Sequence, residues 1–355
     1  MLKFKIFSEL NVECETIWKK LEQNSKNDFF QTYDYHKELI LNYDIKRLNI
    51  VVIFNNNDPV ALFPFFIKEY YFFKVLQYIG TKYSDYCNPL VDAGSNNILS
   101  EKAFNILWRE IINNLKEIDF IFLNNQLKNF KNFKNPVVYN LKNKKFSNIF
   151  RIDLLDNFEE YKKNIFEINK NYHYEIHRTL LKKDKLKKNY NLKFEINNLQ
   201  DTDLKLEKII DSKISSFSKK RGKINLDIRL SKVFNNLSKK YYKNFFISSL
   251  RVENEIVAAC FSIKYQGIFY YFIPVIFSRK FEKYKIGKIL ILDLIDWCIK
   301  KDIKIFDFGL GAEKYKKHFS NSSLGLFRYY YFKNIKGFML FILLKIISFL
   351  GIKQF

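Results

Sequence analysis

Two stretches far apart in the chain read alike, and this duplication limits the fold more than any other feature. Residues 52–66, VIFNNNDPVALFPFF, and residues 249–263, SLRVENEIVAACFSI, each run from a strand through a polar turn into a second strand that opens Val-Ala (Val60-Ala61 and Val257-Ala258). Residues 107–123, LWREIINNLKEIDFIFL, and 291–308, ILDLIDWCIKKDIKIFDF, repeat a second pattern: an apolar-faced helix, a short break and a buried strand. Few positions are identical, but the shared order of elements implies two copies of one α/β unit. The expected fold class is α/β (α+β), with mixed, mostly antiparallel sheets flanked by helices. The expected divisions are 1–150, 151–335 and an apolar C-terminal helix at 336–355.

Other elements follow from periodicity and turn chemistry. Phe29–Tyr43 predicts a helix. Glu101–Lys116 predicts a helix with Ala103, Ile106, Leu107, Ile111 and Leu115 on one face. Asn157–Asn189 predicts a long, very basic helix or a helix pair. Phe245–Val252, Ile256–Tyr265 and Ile268–Val275 predict an antiparallel meander, joined by turns at Glu253-Asn254-Glu255 and Gln266-Gly267.

A chain of 355 residues suits two domains of average size. With 48% apolar and 18% aromatic residues, it can bury a sizeable core. That excludes a disordered chain, a collagen-like repeat and a small disulfide scaffold. The net charge of +24 permits an anionic partner. Only nine of the 61 basic residues are Arg, and Lys, Asn, Ile, Phe and Tyr rise together, as an AT-rich coding sequence produces. Phosphate readers usually favour Arg, whose planar fork binds bidentately. Cys14, Cys87, Cys260 and Cys298 form no Cys-x-x-Cys. Residues 1–12 have no apolar signal core. The expected location is the cytoplasm, including the inner membrane face. Residues 337–352, GFMLFILLKIISFLGI, are shorter than the roughly 20 apolar residues a spanning helix needs. They suit a packed terminal helix or peripheral membrane contact, flanked by Lys333, Lys336, Lys345 and Lys353.

Several motifs carry a resemblance. FFQTYDYHKELI (29–40), YSDYCNPLV (83–91), the basic HYEIHRTLLKKDKL (173–186) and, most specific, KIGKILILDLIDWCIKKDIKIFDFGLGAEKYKKHF (285–319) resemble the GNAT-like N-acyltransferases of the CelD/BcsL type. That group is related to the FemABX peptidoglycan aminoacyltransferases. The resemblance covers roughly residues 28–320. It implies two tandem GNAT-like domains and transfer of an acyl group from acyl-CoA, such as acetyl-CoA, to an amine. It implies as acceptor an amine-bearing small molecule or a glycan precursor of the cell envelope.

Such a transfer needs a seat for the donor's phosphates, a polarised carbonyl and removal of a proton from the amine. A helix N-terminus supplies the first through its free N–H groups and dipole. Gly287 stands at such a start among Arg279, Lys280, Lys283, Lys285 and Lys288. A solvated basic loop with a helix-initiating Gly is the plain alternative. The family's loop carries a second Gly or Ala two residues on, where this chain has Ile289. In Asp307–Lys316 the resemblance makes Lys316, next to Tyr315, the group that binds the donor carbonyl and steadies the tetrahedral intermediate. Asp307 is then a base or orients Lys316, and Glu313 is a second candidate base. Gln31 and Tyr35 are candidates for the acceptor groove, Arg178 for an anionic ligand and Arg221 for substrate. His173 and His177 share a helix face at i, i+4, but no third ligand accompanies them, so no metal is expected. Two other readings stay open. One is an aminoacyl-tRNA-dependent FemABX-type enzyme, with tRNA as a less favoured partner. The other is a non-catalytic module that binds membrane or protein.

Overall fold

The Asn-rich turn at 55–57 closes a hairpin, and the first sheet grows from it. In the computed structural model, which describes residues 2–349 except 26, 97, 131–132 and 222–225, strand β1 (Leu2–Phe7) pairs antiparallel with β2 (Leu48–Asn55). β2 pairs with β3 (Asp58–Tyr70), and β3 with β4 (Phe73–Tyr78). Helices α1 (Val12–Asn24) and α2 (Tyr33–Tyr43) separate β1 from β2 in sequence. Helix α3 (Glu101–Asn114) leads to β5 (Phe120–Leu127), which lies parallel to β4 at Val75 and Leu76. The buried face of α3 is Phe104, Leu107, Trp108, Ile111 and Ile112, with Ile106 exposed. The expected face is therefore rotated: the large rings at i and i+4 take the core, where Trp108 stands 6.1 Å from Phe63. The expected helix at Phe29–Tyr43 breaks at Thr32, leaving a single 3-10 turn (Phe29–Gln31) before α2.

The second sheet repeats this order. β6 (Lys144–Asp153) precedes α4 (Phe158–Ile168) and α5 (Lys170–Asn189). The basic stretch is thus a helix pair, divided at Asn169, whose side chain caps α5 by accepting from Asn171 N. Then come β7 (Leu192–Asn198), α6 (Leu206–Arg221), α7 (Arg229–Lys240), β8 (Phe245–Val252), β9 (Glu255–Tyr265) and β10 (Ile268–Ile276). These four strands pair antiparallel in sequence order. Helix α8 (Ile286–Lys300) crosses to β11 (Ile305–Asp307), which is parallel to β10 and antiparallel to β6. Apolar side chains on most sides of α8 are buried, from Ile286 to Cys298, as befits a helix within the core. The short α9 (Lys314–Phe319) follows.

The Val-Ala strands occupy equivalent places. Ile53 faces Ala61 and Leu250 faces Ala258, and in both hairpins the register slips at the next residue, Phe54 and Arg251. The duplication is therefore one of backbone pairing.

The chain divides into two units, Met1–Ser147 with Gly325–Phe355, and Asn148–Leu324. The last strand, β12 (Ser322–Phe332), runs antiparallel to β5, and helix α10 (Ile335–Phe349) follows it. A strand is thus exchanged between the two halves of the sequence: β6 follows β5 in the chain but pairs with β11, and β12 follows β11 but pairs with β5. The expected divisions keep 151–335 together and set 336–355 apart. The division into compact units instead places 325–355 with the first unit.

Leu340 of α10 packs with Phe73, Val75 and Phe120, flanked by Phe341 and Leu344. Asn334 fixes the start of this helix, donating to Asp119 Oδ1 at 2.8 Å and accepting from Gly337 N at 3.0 Å. A Cβ on Gly337 would lie 1.9 Å from the main-chain oxygen of Asp119. Gly337→Ala should therefore push α10 away from its seat and destabilise the fold by about 1–3 kcal/mol. Thermal unfolding reads this as a melting temperature several degrees lower, and an unchanged value would contradict the close approach.

Candidate active site

Strand β10 keeps β9 as a neighbour as far as Ile276 but keeps β11 only from Ile268 to Tyr270. The register slip between Phe261 and Ser262 falls at the same level, and such a slip sharpens local twist. Beyond Tyr270 the parallel strands part. A cavity of about 600 Å³ opens there, lined by Tyr271, Pro274, Val275 and Ile276 of β10, the first turns of α8, Lys213 and Ser216 of α6, and Glu313 and Tyr315. This is where open α/β sheets hold ligands.

One end of the cavity is the start of α8. Lys285 takes a left-handed conformation (φ 58°) as the N-cap residue, and Lys288 N bonds to Lys285 O at 2.8 Å. The N–H groups of Ile286 and Gly287 belong to the first turn, which has no preceding carbonyls of its own helix to bond. A Cβ on Gly287 would stand 3.3 Å from Ile276 Cδ1, so the helix start lies close against β10. Arg279, Lys285 and Lys288 line this end. Lys283 does not: it is exposed, over the Tyr284 ring. Ile289, at the position where the resembled family has a small residue, is fully buried in the core and leaves the cradle at Gly287 open.

Glu175 of α5 already holds these cations. Its Oε1 lies 2.5 Å from Lys285 Nζ and 2.6 Å from Lys288 Nζ. Burial pushes its pKa up, but the two lysines outweigh that and bring it down to about 2.

The other end is the loop from Asp307 to α9. Gly309 and Gly311 take positive φ (62° and 102°), and a Cβ on Gly311 would lie 2.4 Å from Glu313 Oε2. The positive φ is what favours glycine at 311, since the Glu313 side chain could swing aside. Lys316 is buried, 4% exposed. Its Nζ stands 2.5 Å from Leu310 O and 3.0 Å from Glu313 Oε2. Burial raises the Glu313 pKa, but Lys316, with Lys213 further off, holds it below the ordinary carboxylate value. Burial pushes the Tyr315 hydroxyl up and the Lys213 ammonium down. The Lys213 Nζ donates to Pro274 O at 2.9 Å.

The structure separates the expected residues. Gly287, Lys285, Lys288, Glu313 and Tyr315 line one cavity, and Lys316 braces it from behind. Asp307 is enclosed instead: its Oδ2 accepts from Arg151 Nε at 2.6 Å, and its Oδ1 accepts from Gly309 N at 2.7 Å. Its carboxylate ends the strand and shapes the turn, rather than touching Lys316. Gln31 and Tyr35 are interior residues of the first unit. Gln31 Oε1 accepts from Asp28 N at 2.9 Å in a capping box and its Nε2 donates to Pro89 O; Tyr35 donates to Tyr83 O at 3.0 Å. Their polar groups serve the fold. Arg178 is exposed, 5.7 Å over the Tyr174 ring. Arg221 ends α6, and its side chain lies outside the described residues. His173 packs edge-on to Phe166, and no group of three or more potential metal ligands gathers among the described residues.

Lys213 and Glu175 escaped the sequence reading. Lys213 is one lysine among many on an amphipathic helix. Glu175 was hidden because its partners are 110 and 113 residues away; the signal was a lone acid on the buried side of a basic helix.

Residues 178–317 match the family model described as acetyltransferase (GNAT) domain. The match runs from α5 into α9 and so contains both ends of the cavity. The crystal structure of FemX is similar over 96% of this chain and 99% of its own, at 10% identity and TM-score 0.58. The C-terminal domain (DUF2156) of a putative lysylphosphatidylglycerol synthetase from Agrobacterium fabrum is similar over 94% of this chain and 96% of its own, at 10% identity and TM-score 0.53. At such identity the likeness is one of fold. No curated protein matches the sequence. The matched unit is GNAT-like, and the first unit repeats its strand–turn–strand register.

Two outcomes follow. Asp307→Ala leaves Arg151 without its buried carboxylate, so unfolding in urea should show a loss of about 3–5 kcal/mol; a loss under about 1 kcal/mol would contradict a structural role. The depressed pKa of Glu175 stabilises the native state fully above the ordinary value of 4.5, and that contribution is lost as pH falls towards about 2. In Glu175→Gln the urea midpoint should fall less steeply between those pH values than in the wild type. Parallel curves would show that the two lysines do not act on this carboxylate.

Proposed function

We propose that the chain is an N-acyltransferase that takes an acyl group from a thioester of coenzyme A to an amine, with an amino sugar or another cell-envelope precursor as acceptor class. The observation that carries this reading is the single cavity with a helix N-terminus and cations at one end and the Glu313–Lys316 pair at the other. The donor's phosphates bind at Ile286 and Gly287 N–H, with Arg279, Lys285 and Lys288 around them. To enter, they displace Glu175 from the two lysines. The acyl arm runs along β10, whose edge beyond Tyr270 is free of β11.

Glu313 faces the cavity as a carboxylate and accepts an N–H of the acceptor amine, orienting its lone pair toward the thioester carbonyl. The nitrogen forms the C–N bond, the C–S bond breaks, and the thiol leaves with the proton that the amine gives up. Glu313, held ionised by Lys316, is a weak base, so its contribution is positioning and partial charge neutralisation. Lys316 acts through Glu313 and through Leu310 O, by holding the loop. The neighbouring Lys213 supplies a second positive charge, close to Pro274 O.

The test is a thermal-shift titration with CoA, acetyl-CoA and longer acyl-CoAs, followed by turnover measured as thiol release. A donor at 100 times its dissociation constant stabilises by about 2.7 kcal/mol. Glu313→Gln, which leaves buried Lys316 without its carboxylate, should lower the melting temperature by less than Lys316→Ala does and lower kcat by about tenfold or more. Lys316→Ala should lower both kcat and the melting temperature. A shift with aminoacyl-tRNA and none with any CoA ester would move the donor to the FemABX type. No shift with either, and full activity in cells carrying Glu313→Gln, would remove acyl transfer altogether.

A further inference from the structure

The outer face of α10 is apolar and open. Leu340, Phe341 and Leu344 turn inward, while Ile335 (77% exposed), Met339 (58%), Ile342, Leu343 and Ile346 (51%) turn outward. Their spacing, with steps of three, four and seven, puts them on one side of the helix. A second segment joins them. Phe72, at the tip of the β3–β4 hairpin, shares a shallow cleft with Lys333 and Lys336 at the foot of α10, and Tyr71 beside it is fully exposed. Single exposed apolar residues are ordinary, but a contiguous face of this kind marks an interaction site.

Charge decides what covers it. From Gly325 to Phe349 there is no Asp or Glu, against Arg328, Lys333, Lys336 and Lys345; the two acids of the cleft are already taken up, Glu117 by Lys74 and Arg47 and Asp119 by Asn334 and the main-chain N–H of Lys74. Lys336 and Lys345 are exposed on α10, at the boundary of the apolar face. Lysine stems can lie along apolar surface while the ammonium reaches an anion beyond it. A second copy of the chain fits poorly, because a two-fold interface sets each patch against its own like charges. None of the described helices is long and apolar enough to cross a membrane.

We propose that this face is a docking surface for an anionic lipid bilayer, on which α10 lies in the interfacial plane beside the Tyr71-Phe72 tip. The outward Ile, Leu and Met side chains enter the acyl boundary, and Lys336 and Lys345 meet lipid phosphates. This inference is independent of the acyl-transfer reading. It adds a place of work: an acceptor carried on lipid would be met at the membrane surface.

The experiment is co-sedimentation of the full chain with vesicles of equal parts phosphatidylglycerol and phosphatidylcholine, and of phosphatidylcholine alone. The wild type should bind the anionic vesicles and dissociate as salt rises. Lys336→Ala with Lys345→Ala should weaken partitioning about 30-fold. Ile342→Glu with Leu343→Glu should abolish it while leaving the melting temperature and circular dichroism unchanged, since both side chains are exposed. Equal binding to neutral and anionic vesicles, undiminished binding by the Ile342/Leu343 variant, or no vesicle binding would each overturn the proposal. So would a solution dimer that the same variant dissociates in the absence of lipid.

Discussion

Everything at the site depends on the point where β10 loses its parallel neighbour. β11 is only three residues long. It ends at Asp307, whose carboxylate is taken on one side by Arg151 of β6 and on the other by the main-chain N–H of Gly309. That buried pair ends the strand, starts the left-handed turn and sends the loop toward Glu313. Had β11 continued beside β10, the main-chain edge facing the cavity would be spent in a ladder. A cavity in a sheet needs strands that diverge, and here the divergence is set by a buried ion pair and two glycines.

Buried charge also organises the helices. α5 reaches α8 through Lys183, which meets the buried Asp293, and through Glu175, which spans Lys285 and Lys288. Such pairs add little net stability, because desolvation offsets their attraction. Their effect is on placement: an unpaired Asp293 in the core, or unpaired lysines at the start of α8, would favour other arrangements. Glu175 therefore has two consequences. It holds α5 against the start of α8, and it sets an intramolecular carboxylate where a ligand's anion would sit. In the proposed reading, ligand binding and helix position are linked through one side chain.

Much of the fold was legible because it follows local patterns. The polar turns and Val-Ala openings placed both hairpins, and the register slip at Phe54 and Arg251 shows that the similarity of the halves reaches the backbone. The strand exchange was not legible, since β6 and β12 carry no mark of which neighbours they join. Among the candidate residues, Gly287, Lys285, Lys288 and Glu313 line one cavity, and their grouping was legible because a helix start and a glycine-bracketed loop are local features. Gln31 was misread for a nearby reason: Asp28 and Gln31, three apart, form a capping box that uses up the Gln side chain. Ile289 stands where the family has a small residue, but helix geometry turns it into the core rather than into the cradle. Glu175 and Lys213 act across long sequence separations, which periodicity does not report.

The central claim is that one ligand bridges the start of α8 and the loop before α9. Amide hydrogen exchange followed by mass spectrometry, with and without acetyl-CoA, tests it most directly. The account predicts slower exchange in two separate segments at once, residues 276–290 and 308–317, with the sheet strands β8 and β9 unchanged. Protection confined to one of the two, or appearing only elsewhere in the chain, would contradict it.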